Sequence, residues 1–166
     1  MLIILSGLPG TGKTTIAREL AKTLSAVHLR IDTIEHAIET SLLNVPSAID
    51  AGYRVGYGLA EDNLRLGHIV IADSVNPLAI TRNAWRFAAA NAGARSIDVE
   101  VVCSDEAEHR TRVESRKADM AGFKLPAWAD VKARKYDPWT TEHTKVDTSR
   151  QSLATIVSML VLQAAP

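Results

Sequence analysis

The chain has 166 residues, which is enough for one domain with a buried core. Its 19 basic residues balance 19 acidic ones, which disfavours a dominant electrostatic grip on nucleic acid or on an anionic membrane. Cys103 is the only cysteine, so no intrachain disulfide can form. No apolar run has membrane-spanning length and no leader-like segment precedes the first predicted strand, so we expect a soluble, cytoplasmic protein.

The first twenty-odd residues carry the most specific pattern in the chain. An apolar run after Met1 predicts a buried strand over residues 2–6. Residues 7–14, GLPGTGKT, match G-x-x-x-x-G-K-[ST] at every fixed position. Apolar residues at helical spacing then predict a helix from about Lys13 to Leu24. A strand, a glycine-rich loop and a helix in this order indicate a phosphate-binding P-loop.

The residue types of this loop suit a nucleoside triphosphate such as ATP. Glycines let backbone N–H groups face an anion, and the following helix adds its positive end. Lys13 is expected to reach the β- and γ-phosphates, and the Thr14 hydroxyl is expected to bind Mg²⁺. The predicted nucleotide-binding residues are Gly7, Pro9, Gly10, Thr11, Gly12, Lys13, Thr14 and Thr15.

The rest of the chain alternates between strand and helix patterns. The further predicted strands are 27–31, 68–73, 97–103 and 143–146. The further predicted helices are 33–43, 59–66, 78–91, 106–116, 127–136 and 151–163. The stretch 44–58 carries a proline and three glycines and is predicted to be irregular, and 44–66 is a candidate acceptor-covering segment.

This alternation predicts an α/β fold. We expect a three-layer P-loop NTPase fold, with a five-stranded parallel sheet, helices on both faces and a short lid over about residues 112–126. The whole chain, 1–166, is expected to form one domain. Ligands should bind at the carboxyl ends of the strands.

Two aspartates follow predicted strands at that edge. Asp73 closes the third strand, where a carboxylate can hold Mg²⁺ through water, and the alternative is a turn or helix-capping role. Asp32 closes the second strand, where it can take the proton of an acceptor hydroxyl. For Asp32 the alternatives are a helix N-cap and a place in the magnesium site.

Four arginines are candidates for binding anions. Arg112 and Arg116 share a face of the predicted helix 106–116, and they could stabilise charge on the transferred phosphoryl group or simply face solvent. Arg82 and Arg86 lie on the predicted helix 78–91 and could hold an anionic acceptor or extend to solvent. The three tryptophans are more typical of packing than of a base-stacking surface.

Residues 144–147, TKVD, match the pattern with which GTPases recognise guanine. GTPases also carry D-x-x-G after the magnesium aspartate, whereas the sequence from Asp73 is DSVN. We therefore do not predict a GTPase, although 144–149 could border the base. The choice between ATP and GTP stays open.

The terminal P-loop, the aspartate after the second strand and the arginine-bearing helix before a loop resemble the small-molecule kinases of the adenylate-kinase-like group. Chloramphenicol phosphotransferase, gluconate kinase, zeta-toxin and polynucleotide-kinase relatives are similar, as are AAA-type ATPase-like proteins. The resemblance implies that Asp32 is the base and that Arg112 and Arg116 are lid arginines.

The sequence thus predicts an ATP- and Mg²⁺-dependent phosphotransferase acting on a hydroxyl of a small molecule, with Lys13, Asp32, Arg112 and Arg116 as catalytic residues and Thr14 and Asp73 at the metal. A regulatory ATPase without a small-molecule acceptor is the alternative. A nucleic-acid end kinase is disfavoured by the zero net charge. The acceptor and the oligomeric state stay open.

Overall fold

A five-stranded sheet lies at the centre of the computed structural model, which describes residues 1–42, 47–48 and 50–165. The strands are β1 (Leu2–Ser6), β2 (Val27–Arg30), β3 (Val70–Asp73), β4 (Ser96–Val102) and β5 (Thr144–Asp147). Their order across the sheet is β2-β3-β1-β4-β5, and every pair is parallel. The predicted five-stranded parallel sheet is confirmed.

Helices cover both faces of the sheet, as predicted. They are α1 (Lys13–Leu24), α2 (Ile31–Glu39), α3 (Ala51–Arg65), α4 (Ala79–Asn91), α5 (Glu106–Ser115), α6 (Trp128–Ala133) and α7 (Leu153–Ala164). Alternate residues of β1 point to opposite faces, so Ile3 and Leu5 pack with α1 and α7, while Leu2 and Ile4 pack with α3 and α4. All four side chains are fully buried.

The prediction for residues 44–58 is wrong in its second half, because α3 begins at Ala51 and continues through the predicted helix 59–66 as far as Arg65. Residues 43–46 and 49 lie outside the described residues. Gly52 and Gly56 are tolerated inside this helix because neighbouring side chains occupy the space that a Cβ would need. A Cβ on Gly56 would lie 2.5 Å from Cδ1 of Ile31 and 3.0 Å from the Trp85 ring.

Other predicted helices differ at their ends. α2 begins at Ile31, two residues before the predicted start, and ends at Glu39, whereas the prediction extended to residue 43. α6 ends at Ala133, whereas the prediction extended to residue 136. The chain after α6 instead packs on α4, where the Asp137 carbonyl accepts a hydrogen bond from Arg82.

The strand register places the functional loops beside one another. Asp73 at the end of β3 pairs with Leu5 of β1 on one side and with Arg30 of β2 on the other. The loops after β1, β2 and β3 therefore meet at the carboxyl edge of the sheet. Among the described residues, no helix has the length and apolar character needed to cross a bilayer.

Candidate nucleotide- and acceptor-binding site

A cavity of about 1640 Å³ lies at the carboxyl edge of the sheet. It extends from the P-loop past β3 to the walls formed by α2, α3 and α4. The predicted site residues that line it are Pro9, Gly10, Gly12, Lys13, Thr14, Thr15, Asp32, Asp73, Arg112 and Arg116. Gly7 and Thr11 belong to the same loop but do not line the cavity.

The P-loop needs its glycines for steric reasons. The Gly7 N–H donates to the Val75 carbonyl at 3.0 Å, and a Cβ at Gly7 would lie 2.2 Å from the carbonyl oxygen of Val101. Gly10 has φ 85°, and a Cβ there would lie 2.5 Å from Cγ2 of Val113. Both contacts exclude larger residues, because backbone and packed helix atoms surround the loop.

Residues far away in sequence hold the loop in place. The ring of His109 on α5 is buried, and its Nε2 lies 2.8 Å from the Pro9 carbonyl oxygen. The hydroxyl of Thr148, which follows β5, donates to the Thr11 carbonyl at 2.9 Å. Sequence analysis missed both contacts, since neither residue belongs to a recognisable motif.

Lys13 is buried at the centre of this arrangement, with an exposed fraction of 7%. Its Nζ donates to the Leu8 carbonyl at 2.9 Å. Burial lowers the pKa of Lys13 to about 8, although Asp73 and Asp32 act in the opposite direction. The ammonium group therefore stays largely charged at neutral pH and lies between these carboxylates and the phosphate-binding loop.

Asp73 is also buried, with an exposed fraction of 3%. Nε2 of His28 lies 3.1 Å from its Oδ2. Burial raises its pKa, but the contact with His28 and the charge of Lys13 outweigh that effect and keep the pKa below its usual value. The Thr14 hydroxyl contributes in the same direction, so the two groups predicted to bind magnesium are neighbours. Among the described residues, no three His, Cys, Asp or Glu side chains cluster as a metal site by themselves.

Asp32 lies in the first turn of α2 and faces the cavity, with its Oδ2 3.7 Å from Nη2 of Arg30. The helix-cap alternative is wrong, because Arg30 is the N-cap of α2. Glu35 lies three residues further on and lines the same cavity. Burial, then the charges of Asp32 and Glu39, raise the pKa of Glu35 to about 7. Sequence analysis assigned no role to Glu35, although the spacing of three from Asp32 was a signal that could have identified it.

The arginines of the site differ in what they contact. Arg112 donates to the Thr148 hydroxyl at 2.8 Å and forms an ion pair with Glu108 at 2.5 Å. Arg116 and Arg134 line the cavity, form no ion pair with any described residue, and both lower the pKa of Lys13. Sequence analysis missed Arg134, because its proximity depends on where α6 packs.

The loop 117–126 lies across the cavity wall and is held through Asp119. Its carboxylate accepts from Arg30 at 2.7 and 3.1 Å and from Arg18 at 2.6 Å. These hydrogen bonds hold the pKa of Asp119 far below its usual value. Nε2 of His36 lies 2.9 Å from the Ala121 carbonyl oxygen, which adds a contact to α2.

Neither Arg82 nor Arg86 lines the cavity, so the prediction that they hold an acceptor is wrong, and for buried Arg82 the alternative of extending to solvent is wrong as well. Arg82 has an exposed fraction of 2%, and it donates to the carbonyls of Asn76, Pro77 and Asp137. Its guanidinium also lies 4.2 Å from the centre of the Trp139 ring. Arg86 is paired with Asp98 at 2.7 Å.

Arg82 instead fixes the loop between β3 and α4. Asn76 in this loop is fully buried and has φ 48°, which is uncommon for a residue other than glycine. Its carbonyl accepts from Arg82, and its N–H donates to the Tyr53 hydroxyl at 3.1 Å. These contacts fix Tyr53 of α3 in the wall of the cavity.

The residues present fit a magnesium-bound nucleoside triphosphate. The loop leaves no room for a Cβ at Gly7 or Gly10, Lys13 is buried beside it, and a hydroxyl and a carboxylate adjoin the lysine. This combination defines the class of protein as a P-loop nucleotide-binding protein with a kinase-like fold.

Comparison with known families agrees with that class. The model of the family described as AAA domain (AAA_33) matches residues 2–138. The chain belongs to this AAA domain family. No protein among curated sequences is similar enough to this chain to count as a match.

Solved structures share the fold along nearly the whole chain. A protein described as a candidate kinase from Chloroflexus aurantiacus is 25% identical, with a TM-score of 0.72, over 99% of this chain and 97% of that one. The APS kinase CysC of Mycobacterium tuberculosis, in complex with AMPPNP and APS, is 18% identical, with a TM-score of 0.70 over 99% and 97%. Kti12 of Chaetomium thermophilum, in complex with ADP-AlF3, is 21% identical, with a TM-score of 0.66 over 100% of both chains. The resemblance to P-loop kinases is confirmed at the level of the fold group.

Proposed function

We propose that this protein is a phosphotransferase that moves the γ-phosphoryl group of ATP to a hydroxyl group of a small molecule. One observation carries the proposal. A single cavity contains the P-loop lysine, Lys13, and the candidate base, Asp32, and it continues beyond them to α3 and α4. A second substrate could therefore reach the end of the triphosphate.

The phosphates would be bound by the P-loop N–H groups and by Lys13. Thr14 and Asp73 would hold Mg²⁺, which would neutralise phosphate charge when bound. Arg116 and Arg134 would stabilise the charge of the transferred group. Their positive charges lower the pKa of Lys13, so they act where the phosphates would bind. Arg112 would keep the Thr148 turn on the P-loop and add its charge at the rim of the site.

In the transfer step, the acceptor oxygen forms a bond to the γ-phosphorus while its proton passes to the Asp32 carboxylate. The bond between that phosphorus and the bridging oxygen breaks, and ADP leaves with the electron pair. The loop 117–126, as the main part of the predicted lid, would cover the cavity and limit transfer to water.

Two substitutions test this assignment. Lys13→Ala should abolish binding of AMPPNP with magnesium in isothermal titration calorimetry, whereas Lys22→Ala, on the exposed side of α1, should leave it unchanged.

Asp32→Asn should preserve that binding and lower transfer about 10²–10⁴-fold, as expected for loss of a general base. Transfer is measured by mass spectrometry of a metabolite mixture incubated with ATP, and Asp62→Asn is the matched control. Binding that survives Lys13→Ala, or transfer that survives Asp32→Asn, would contradict the proposal.

The alternative is a regulatory ATPase in which water is the only acceptor. The same fold in Kti12, which is not described as a kinase, fits this alternative. It predicts hydrolysis of ATP to ADP and inorganic phosphate, with no phosphorylated metabolite in the mixture. The mass-spectrometric assay therefore separates the two functions directly.

A further inference from the structure

The walls of the cavity differ in charge between its two ends. Outside α3, its basic residues lie on α1, on α5, in the loop after α5 and at the end of α6. These residues are Lys13, Arg18, Arg112, Arg116, Lys117, Lys124 and Arg134. Three carboxylates, Asp73, Asp119 and Asp130, line the same part of the cavity, so basic residues predominate there. A triphosphate bound at the P-loop supplies the negative charge that this end requires.

The part of the cavity beside α2, α3 and α4 has the reverse balance, although the charge of Arg134 also acts on Glu35 and lowers its pKa. Among the described residues of α2, α3 and α4 with their flanking loops, the cavity is lined by three carboxylates, Asp32, Glu35 and Asp50, and by one basic residue, Arg54. Arg54 is exposed, whereas Glu35 is partly buried. The acceptor end therefore favours a positive charge and disfavours an anion.

The space around Glu35 is provided by α3. A Cβ on Gly52 would lie 2.3 Å from Cγ and 3.1 Å from Oε1 of Glu35. The Glu35 side chain thus crosses the glycine face of α3 to reach the cavity. It makes no hydrogen bond or ion pair with a described residue, so its carboxyl oxygens can meet a ligand.

Aromatic rings lie on the same wall. Tyr53 and Tyr57 both line the cavity, and their ring centres are 6.1 Å apart. Tyr53 directly follows Gly52, the glycine on which Glu35 packs. Burial raises the pKa of Tyr53, and the charges of Glu35 and Asp32 act in the same direction, against the hydrogen bonds with Asn76 and Ser74. Carboxylates beside tyrosine rings are a common arrangement for binding an ammonium group.

Resting on the phosphotransferase function proposed above, we infer that the acceptor is an amino alcohol, whose hydroxyl lies at Asp32 and whose ammonium group lies between Glu35 and the rings of Tyr53 and Tyr57. Glu35 is then a specificity-determining residue. Asp32 keeps its role as the base, and the second carboxyl selects for positive charge.

Three six-carbon probes of different charge test the inference: glucosamine, which is cationic, glucose, which is neutral, and gluconate, which is anionic. Each is titrated calorimetrically into the chain loaded with AMPPNP and magnesium, and each is assayed for ADP formation with ATP. We expect glucosamine to bind at least 10-fold more tightly than gluconate, with glucose between them. Glu35→Gln should remove most of this preference, whereas Glu39→Gln, with the same charge change on the same helix, should retain it.

Equal or tighter binding of gluconate, binding of none of the three probes, or an unchanged preference in Glu35→Gln would overturn the inference. The proposed function fails differently. If the chain binds no AMPPNP, or if it binds glucosamine through Glu35 but transfers no phosphoryl group, then the phosphotransferase assignment is wrong. In the second case the ammonium site still stands.

Discussion

At the scale of single residues, the site depends on charged side chains that are largely buried. Lys13 and Asp73 are both nearly inaccessible, and each keeps the other charged. Glu35 is the exception, because burial and then the like charges of Asp32 and Glu39 on α2 oppose its ionisation and raise its pKa. Its ionised form is therefore costly in the folded protein.

Glu35→Gln should change how stability depends on pH. The pKa of Glu35 is about 7 in the folded protein and 4.5 as its ordinary value, so the folded state holds this proton more tightly. The contribution of Glu35 to the free energy of unfolding therefore falls as the pH rises from 4.5 to 7, and above 7 this contribution is fully lost. Because Glu35 is partly exposed, we expect the variant to gain about 1–2 kcal/mol at alkaline pH and little at acidic pH. Urea unfolding at an alkaline and at an acidic pH measures this gain in the free energy of unfolding, with Glu142→Gln as the control. A gain that is independent of pH would contradict this explanation.

At the scale of the elements, α3 shows how packing overrides local sequence preference. Its glycines predict an irregular segment, yet Gly52 and Gly56 form a face on which Glu35, Ile31 and Trp85 pack. The helical conformation costs about 1 kcal/mol per glycine, and burial of the Trp85 side chain offsets this cost.

Substitution of two glycines in α3 should give opposite results. Gly58→Ala places its Cβ in open space and should stabilise the protein by about 0.5–1 kcal/mol, through helix propensity alone. Gly56→Ala must displace Ile31 or the Trp85 ring and should destabilise it by about 1–3 kcal/mol. Denaturant unfolding of both variants provides the comparison. Equal effects at the two positions would show that packing on this face does not decide the fold of α3.

At the scale of the whole molecule, the loop 117–126 joins parts that are far apart in sequence. Asp119 contacts Arg18 on α1 and Arg30 at the end of β2, while His36 on α2 contacts both Ala121 and the Phe123 ring. The loop therefore links the nucleotide end of the cavity to the helix that carries Asp32 and Glu35.

Asp119→Asn should release this loop. The neutral amide loses the charge-assisted bonds to Arg30 and Arg18, so the loop should open more often. Limited trypsin digestion should then cleave at Lys117 and Lys124 several-fold faster, as followed by mass spectrometry. Asp62→Asn, an exposed change on α3, should leave the rate unchanged. An unaltered cleavage rate in Asp119→Asn would mean that other contacts hold the loop.

The sequence by itself determined the P-loop, the alternation of strands and helices and the aspartate at the end of β3, because these depend on short-range spacing and on residue chemistry. Asp32, predicted to close the second strand, lies instead in the first turn of α2. Only the tertiary structure decided that Arg82 is a buried structural residue, that Arg134 and Glu35 reach the cavity, and that α3 begins at Ala51. These features depend on which side chains meet after the strands have paired. No local pattern encodes such contacts, since residues as distant as Asp119 and Arg18 come together only when the sheet has brought their helices and loops to one edge.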